Sequence, residues 1–281
     1  MTLFGDAFLR LSPQDIVDQL RERGYCAVER ALEPQAADAI LHDVDGLEVQ
    51  LNRNVPPNVV FKGATYATHV LGRSQTAFRL VTDALVTGVV RGALGDEFSM
   101  TSKRAYETRG GAYMCFHSDT ALARAQPERI DAVVFIFYLN DVADGEWEIV
   151  EGSHLWDDAE PPSKARDEAL ARRPGAAIRG FKMPKGSVVI YDGRLLHRAR
   201  PYAAGDYARR SFFFQANRGL KKGEPILVET GFITPDLSDD ARMLLGFGRP
   251  PRAPVFPETG AGHLPQSERR RLLDSAAGTT A

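Results

Sequence analysis

The stretch "CFHSDT", Cys115 to Thr120, sets His117 and Asp119 two residues apart inside a largely apolar run. If "AYMCFHSD" runs as a strand, residues two apart share a face. The imidazole and the carboxylate then project together while Ser118 points to the other side. An imidazole beside a carboxylate suits a first-row metal, and two histidines with one carboxylate leave open coordination positions on non-haem Fe(II). A third ligand has to come from a non-adjacent strand.

The chain has six histidines. His42 lies on an amphipathic helix and His263 in the loose C-terminal region, and both read as surface residues. His69 falls in an irregular stretch and could line a pocket mouth. His154 closes the turn "EIVEGSH". His197 follows a strand and a turn in "GSVVIYDGRLLHRARP", which would carry the chain back to the site. His197 is therefore the expected third ligand, with His154 second.

An iron oxygenase also needs an anchor for a co-substrate carboxylate. Twelve residues beyond His197, "ARRSFFFQ" puts Arg209, Ser211, Phe213 and Gln215 on one face of a strand and Arg210, Phe212 and Phe214 on the other. An arginine with a hydroxyl beside it can grip a carboxylate through charge-assisted hydrogen bonds. Arg209 is the expected anchor and Ser211 its helper. A register shifted by one would put Arg210 there instead.

Elements to hold these residues can be read along the chain. "SPQDIVDQLRERG" is a capped helix, with Ser12 as N-cap, Pro13 in the first turn and Gly24 as the stop. "YCAVERAL" reads as a short strand, Pro34 to Val44 as a helix, and Leu51 to Gly72 as irregular. Gln75 to Leu94 reads as a helical region interrupted by glycine. After Gly95 come eight short runs rich in Val, Ile, Phe and Tyr: "FSMTSKRAYET", "AYMCFHSD", "DAVVFIFYLNDV", "EWEIVEG", "AIRGFKMP", "GSVVIYDG", "LLHRARP" and "ARRSFFFQA". A helical insert at Ser163 to Arg172 interrupts them, and "LSDDARMLLGFG" reads as a last helix. Helices followed by eight strands imply a mainly β, α+β protein: a sandwich or barrel with a helical buttress.

Composition narrows the partners. A formal charge of −2 offers no basic surplus for nucleic acid or an anionic membrane, so a small-molecule substrate is the default. Two cysteines, Cys26 and Cys115, exclude a disulfide framework or a cysteine-rich zinc site. The N-terminus lacks the pattern of a secretion signal and no run approaches membrane-spanning length, so a cytoplasmic monomer or homodimer is expected. The expected organisation is one domain over residues 1–248, with a helical part (1–97), a barrel core (98–218) and a C-terminal helix to 248. A proline-rich, partly disordered tail would follow over 249–281.

"FHSD", "GEWEIVEGSH", "GSVVIYDGRLLHRA" and "RRSFF", in that order, resemble the Fe(II)/2-oxoglutarate-dependent dioxygenases, in particular the phytanoyl-CoA dioxygenase-like branch. The likeness runs from about Phe98 to Ala216. It implies a double-stranded β-helix (jelly-roll, cupin-like) core, with iron on His117, Asp119 and His197. It also implies 2-oxoglutarate chelating that iron and reaching Arg209, with O2 as oxidant. The reaction implied is hydroxylation, or another oxidation, of an unactivated C–H in a small molecule, with release of succinate and CO2. The chain departs from the family pattern in three places. Glu151 replaces a usual proline, Trp147 a smaller apolar residue, and the spacing from His197 to the arginine is about one residue longer. Asp119 is kept where related halogenases carry a small residue, which disfavours halogenation.

Tyr106, Tyr113, Trp147 and Arg104 are candidate substrate contacts, each of which could equally be a core aromatic or a solvated charge. Two other classes fit parts of the pattern. One is a cupin-type metal enzyme that does not use 2-oxoglutarate; the other is a catalytically silent β-barrel that binds a ligand.

Overall fold

The computed structural model describes residues 2–45, 58–61, 64–67, 69–108, 110, 114–120, 128–157, 160–173, 175–203, 206–221 and 223–247. The expectations for Tyr113, His263 and the tail over 249–281 fall outside the described residues.

In chain order the elements are α1 (Asp6–Leu9), α2 (Pro13–Arg23), β1 (Tyr25–Val28), α3 (Pro34–Asp45), β2 (Asn58–Phe61), β3 (Ala64–Ala67), α4 (Val70–Arg73), α5 (Gln75–Thr82) and α6 (Ala84–Leu94). There follow β4 (Phe98–Thr108), β5 (Ala132–Tyr138), β6 (Trp147–Val150), α7 (Lys164–Arg172), β7 (Ile178–Phe181), β8 (Val188–Asp192), β9 (His197–Ala199), β10 (Arg209–Arg218) and α8 (Asp239–Leu245). Helix α2 begins as its sequence predicts. Ser12 accepts the Asp15 N–H while Asp15 accepts the Ser12 N–H, and Gly24 ends the helix at a left-handed φ of 83°.

The strands form two antiparallel sheets. The larger has seven strands in the order β1-β8-β5-β10-β4-β3-β2, and the smaller has three, β7-β6-β9. Period-two alternation divides the residues of the large sheet between two environments. Val133, Phe135 and Phe137 of β5, Val188 and Ile190 of β8, and Phe212 and Phe214 of β10 pack under the helices. There they meet Ile16, Val17 and Leu20 of α2 and Val86, Val89 and Val90 of α6. The intervening Val134, Ile136, Tyr138, Val189 and Tyr191 face the small sheet and pack with Trp147, Ile149 and Phe181.

Three expectations need correction. The stretch from Leu51 to Gly72 is not uniformly irregular: β2 pairs with β3, and β3 with the end of β4, extending the large sheet. "NVVF" and "ATYA" separated by Lys-Gly carry a hairpin signal, which the preceding "NVPPN" obscures. The region from Gln75 to Leu94 breaks at Asp83, not at a glycine. Asp83 takes an extended ψ of 144° and caps α6 by accepting the Leu85 N–H. Gly88 lies within α6, where a Cβ would come to 2.9 Å from the Pro13 ring, so its role is close packing against α2. Finally, seven of the eight strand-like runs form strands, whereas "CFHSD" joins the sheets through one isolated antiparallel bridge, His117 to His197.

Candidate metal centre

That bridge sets the geometry of the site. The His117 N–H donates to the His197 carbonyl and the His197 N–H to that of His117, both at 2.9 Å. Two residues on, the Asp119 and Thr120 N–H groups donate to the Gly193 carbonyl at 2.8 and 3.0 Å. Glycine is required at 193 for this approach, because a Cβ there would stand 2.9 Å from that of Ala132 and 3.2 Å from the Thr120 methyl.

His117, Asp119 and His197 each offer a ligand atom, and the three atoms lie within 4.8 Å of one another. The imidazole tautomers follow from their backbone partners. His117 Nδ1 lies 2.9 Å from the Cys115 carbonyl and His197 Nδ1 lies 3.0 Å from that of Leu195. A carbonyl only accepts, so each neutral ring carries its proton on Nδ1 and presents the Nε2 lone pair. His197 Nε2 stands 3.6 Å from Asp119 Oδ2, with the aspartate side chain 21% exposed and the histidine 7%. Burial pushes the His197 imidazole down to about 4, against the attraction of Asp119, so the ring is held in its ligating, neutral form.

The sequence did not single out Tyr191. Its hydroxyl donates to Asp119 Oδ2 at 2.9 Å and lies 3.2 Å from His197 Nε2. Burial, together with the Asp119 charge, pushes the phenol well above its ordinary range and keeps it a donor. The alternation of "SVVIY" would have put Tyr191 on the face of Val189, but a tyrosine in a strand reads first as a core aromatic. Trp147 backs the site, its ring 4.8 Å from Tyr191 and 5.9 Å from His197. Tyr25, Phe181 and Met183 enclose it further.

The other end of the inner face is polar and unpaired. Ser211 lies in register between Tyr138 of β5 and Tyr106 of β4. Arg209 is buried, donates one Nη1 hydrogen bond to the Gly145 carbonyl, and holds its guanidinium 5.8 Å from the Tyr106 ring. Among the described residues, Arg209 Nε, Ser211 Oγ and Trp147 Nε1 are buried without a hydrogen-bond partner. Three such atoms around one interior are unusual in a native core, where buried polar groups are satisfied. Arg210 instead pairs with Glu107 at 2.7 Å, and its N–H donates to Asn140. Arg104 donates to Glu224 at 2.6 Å and lies 5.5 Å from the Phe213 ring.

The other described histidines, His154, His42 and His69, stand apart from the cluster. His154 is buried, with Nε2 3.2 Å from the Arg21 carbonyl. His42 is exposed beside Asp43, and His69 is half-buried, its imidazole pushed down by burial and by Lys103. Among the described residues, no helix is long and apolar enough to cross a membrane.

The model of the phytanoyl-CoA dioxygenase (PhyH) family matches residues 20–211. No curated protein sequence matches. Among solved structures, HygX from Streptomyces hygroscopicus, determined with nickel, 2-oxoglutarate and hygromycin B bound, aligns over 80% of this chain and 93% of its own, at 15% identity and TM-score 0.58. The non-heme alpha-ketoglutarate-dependent epimerase SnoN from nogalamycin biosynthesis aligns over 73% and 83%, at 18% identity and TM-score 0.54. The carbocyclase SnoK of the same biosynthesis aligns over 75% and 86%, at 16% and 0.56. With a family model matching well over half its length, this chain belongs to the phytanoyl-CoA dioxygenase family of Fe(II)/2-oxoglutarate-dependent oxygenases.

Proposed function

We propose that the chain is a non-haem Fe(II)- and 2-oxoglutarate-dependent dioxygenase that hydroxylates an unactivated C–H of a small molecule, releasing succinate and CO2. One observation carries the reading: a His-Asp-His cluster on the small-sheet side and unpaired buried donors on the large sheet's inner face line the interior between the two sheets, with Tyr191 of the large sheet touching both Asp119 and His197. Two imidazole nitrogens and one carboxylate oxygen are the donor set of a facial iron site with open positions. The arginine and hydroxyl beyond it, Arg209 and Ser211, fit a carboxylate. We read the two facing sheets as a double-stranded β-helix of the jelly-roll, cupin-like kind.

When bound, iron with 2-oxoglutarate and O2 supplies the oxidising chemistry. The protein supplies placement. His117 and His197 present Nε2 because Cys115 and Leu195 hold Nδ1. Tyr191 fixes one oxygen of Asp119. Arg209 and Ser211 would hold the far carboxylate of the oxoacid, while Trp147, Phe181 and Tyr25 exclude water behind His197. Tyr106, Arg104 and Trp147 are proposed to line the substrate cavity. Hygromycin B in HygX, and the epimerase and carbocyclase among the similar structures, leave room for an oxidation other than hydroxylation and for a polar, natural-product-like substrate.

The test is production of succinate from 2-oxoglutarate with Fe(II) and ascorbate. Slow turnover without substrate, lost in Asp119→Ala, is the expected result. Absence of both turnover and 2-oxoglutarate binding would favour a cupin-type enzyme without the oxoacid, or a silent binding barrel.

A further inference from the structure

Helix α7 lies in the connection between β6, the central strand of the small sheet, and β7, one of its edges. Most of "KARDEALAR" faces solvent, yet Arg166 and Asp167 are only 4% and 5% exposed. Charged residues are almost never this buried unless they are paired. Ser163 sets their direction: it caps the helix by accepting the Arg166 N–H at 3.1 Å, which turns the first-turn residues inward.

Both side chains reach the metal-ligand segment. Asp167 accepts the Phe116 N–H, with its two carboxylate oxygens at 3.1 and 3.3 Å, and Arg166 donates to the Phe116 carbonyl at 3.3 Å. The same Asp167 carboxylate lies 3.3 Å from Arg198 Nη1. Arg198 also pairs with Glu148 at 2.7 Å and covers the Phe116 ring at 4.2 Å. Phe116 immediately precedes His117, and Arg198 immediately follows His197. One carboxylate therefore joins the neighbours of two ligands on two different segments.

Among the described residues the segments share one bridge, His117 to His197, and two further backbone hydrogen bonds, from the Asp119 and Thr120 N–H groups to the Gly193 carbonyl. On the outer edge of the 114–120 segment, where a further strand would pair in a wider sheet, the Phe116 N–H and C=O are taken by α7 side chains instead. We propose that Asp167 is a positioning residue for the metal centre, holding the segment of His117 and Asp119 at a fixed distance from His197. This inference rests on the reading of the triad as a metal site.

Titration with Co(II), followed by its visible absorption, tests it without turnover. Relative to the wild-type chain, Asp167→Ala should weaken Co(II) binding by roughly ten- to a hundredfold, the usual penalty for losing an outer-shell partner, and alter the absorption. Asp167→Asn keeps an acceptor for the Phe116 N–H but loses the charge facing Arg198; it should weaken binding by roughly three- to tenfold. Glu168→Ala, on the exposed face of the same helix, should leave affinity and spectrum unchanged. A merely structural role would lower the melting temperature of the Asp167 variants and leave the Co(II) affinity of the folded protein alone. Wild-type affinity and spectrum in folded Asp167→Ala overturn the proposal; if that variant does not fold, wild-type values in Asp167→Asn do the same. A wild-type chain that takes no Co(II) removes the metal reading and the brace with it, whereas a binding wild type with unaffected variants removes the brace alone.

Discussion

The two faces of the large sheet are made by the same strands and differ in almost every other respect. Toward the helices, Phe135 and Phe214 stack at 4.5 Å, Phe137 and Phe212 lie 6.2 Å apart, and the surroundings are aliphatic. Toward the small sheet, the alternate residues of β5, β8 and β10 include Tyr138, Tyr191, Arg209 and Ser211. Arg209 Nε and Ser211 Oγ are buried without a partner among the described residues. The helical face is an apolar core; the inner face carries buried polar groups of the kind that a ligand satisfies. Stability and chemistry are thus separated by a single step along the chain, and substitutions one residue apart should divide in the same way.

The largest expected effect is on the helical face. Phe214→Ala removes a fully buried ring and should lower the unfolding free energy by about 3–5 kcal/mol, leaving 2-oxoglutarate affinity in the folded fraction near wild type. Denaturant unfolding and a 2-oxoglutarate titration on the same sample check both halves. Next comes the anchor. Truncating a buried, charge-paired arginine costs about 2–5 kcal/mol of binding, so Arg209→Ala should weaken 2-oxoglutarate by roughly a hundredfold. Arg210→Ala breaks only a partly exposed pair with Glu107, and such a pair contributes about 0–1 kcal/mol. Its 2-oxoglutarate affinity should change by less than about twofold, and the reverse ranking would place the wrong face inward.

These two arginines show what could be read in advance and what could not. The division of faces in "RRSFFF" was legible, because alternation is local. Which arginine faces inward depends on register, and that is fixed across strands, by Arg209 opposite Thr108 and Arg210 opposite Glu107. His117, Asp119 and His197 were legible for the same local reason: spacing for the pair, and a strand followed by a turn for the third. Asp167 was not. Nothing in "KARDEALAR" separates it from Glu168, and only the Ser163 cap and the packing of α7 against Phe116 turn one carboxylate inward. The large sheet was also under-read. β1, β2 and β3 join it from the N-terminal part of the chain, and strand pairing at such sequence distance leaves no local trace.

The comparison extends to pH, since the Phe212–Phe214 layer has nothing to titrate and the inner face has His197. Burial lowers the folded imidazole to about 4, whereas an unfolded chain takes up that proton near its ordinary value of 6.5. Between those values the unfolded state binds more protons, so stability rises with pH across the window and is lost as acid is added. Above about 6.5 this contribution is flat. Urea midpoints of chelator-stripped protein should fall from pH 6.5 toward 4. His197→Gln should show a shallower slope over the same range, and an unchanged slope would assign the dependence to other groups.

Ser211 gives the smallest effect and the sharpest contrast, because its two consequences have opposite signs. Without a ligand its Oγ is buried and unpaired, and an unsatisfied buried hydroxyl costs about 1–3 kcal/mol. Ser211→Ala removes that penalty at the expense of one small atom, so the ligand-free protein should be as stable as wild type or more stable by up to about 1 kcal/mol. With 2-oxoglutarate present the hydroxyl gains its partner, and its loss should weaken binding by roughly tenfold, the low end for a hydrogen bond to a charged group. Phe212→Ala, one residue away and pointing the other way, should instead lower stability by about 3–5 kcal/mol and spare the ligand. A destabilised Ser211→Ala with unchanged 2-oxoglutarate affinity would make Ser211 a packing residue, and the inner face would then differ from the helical one only in polarity.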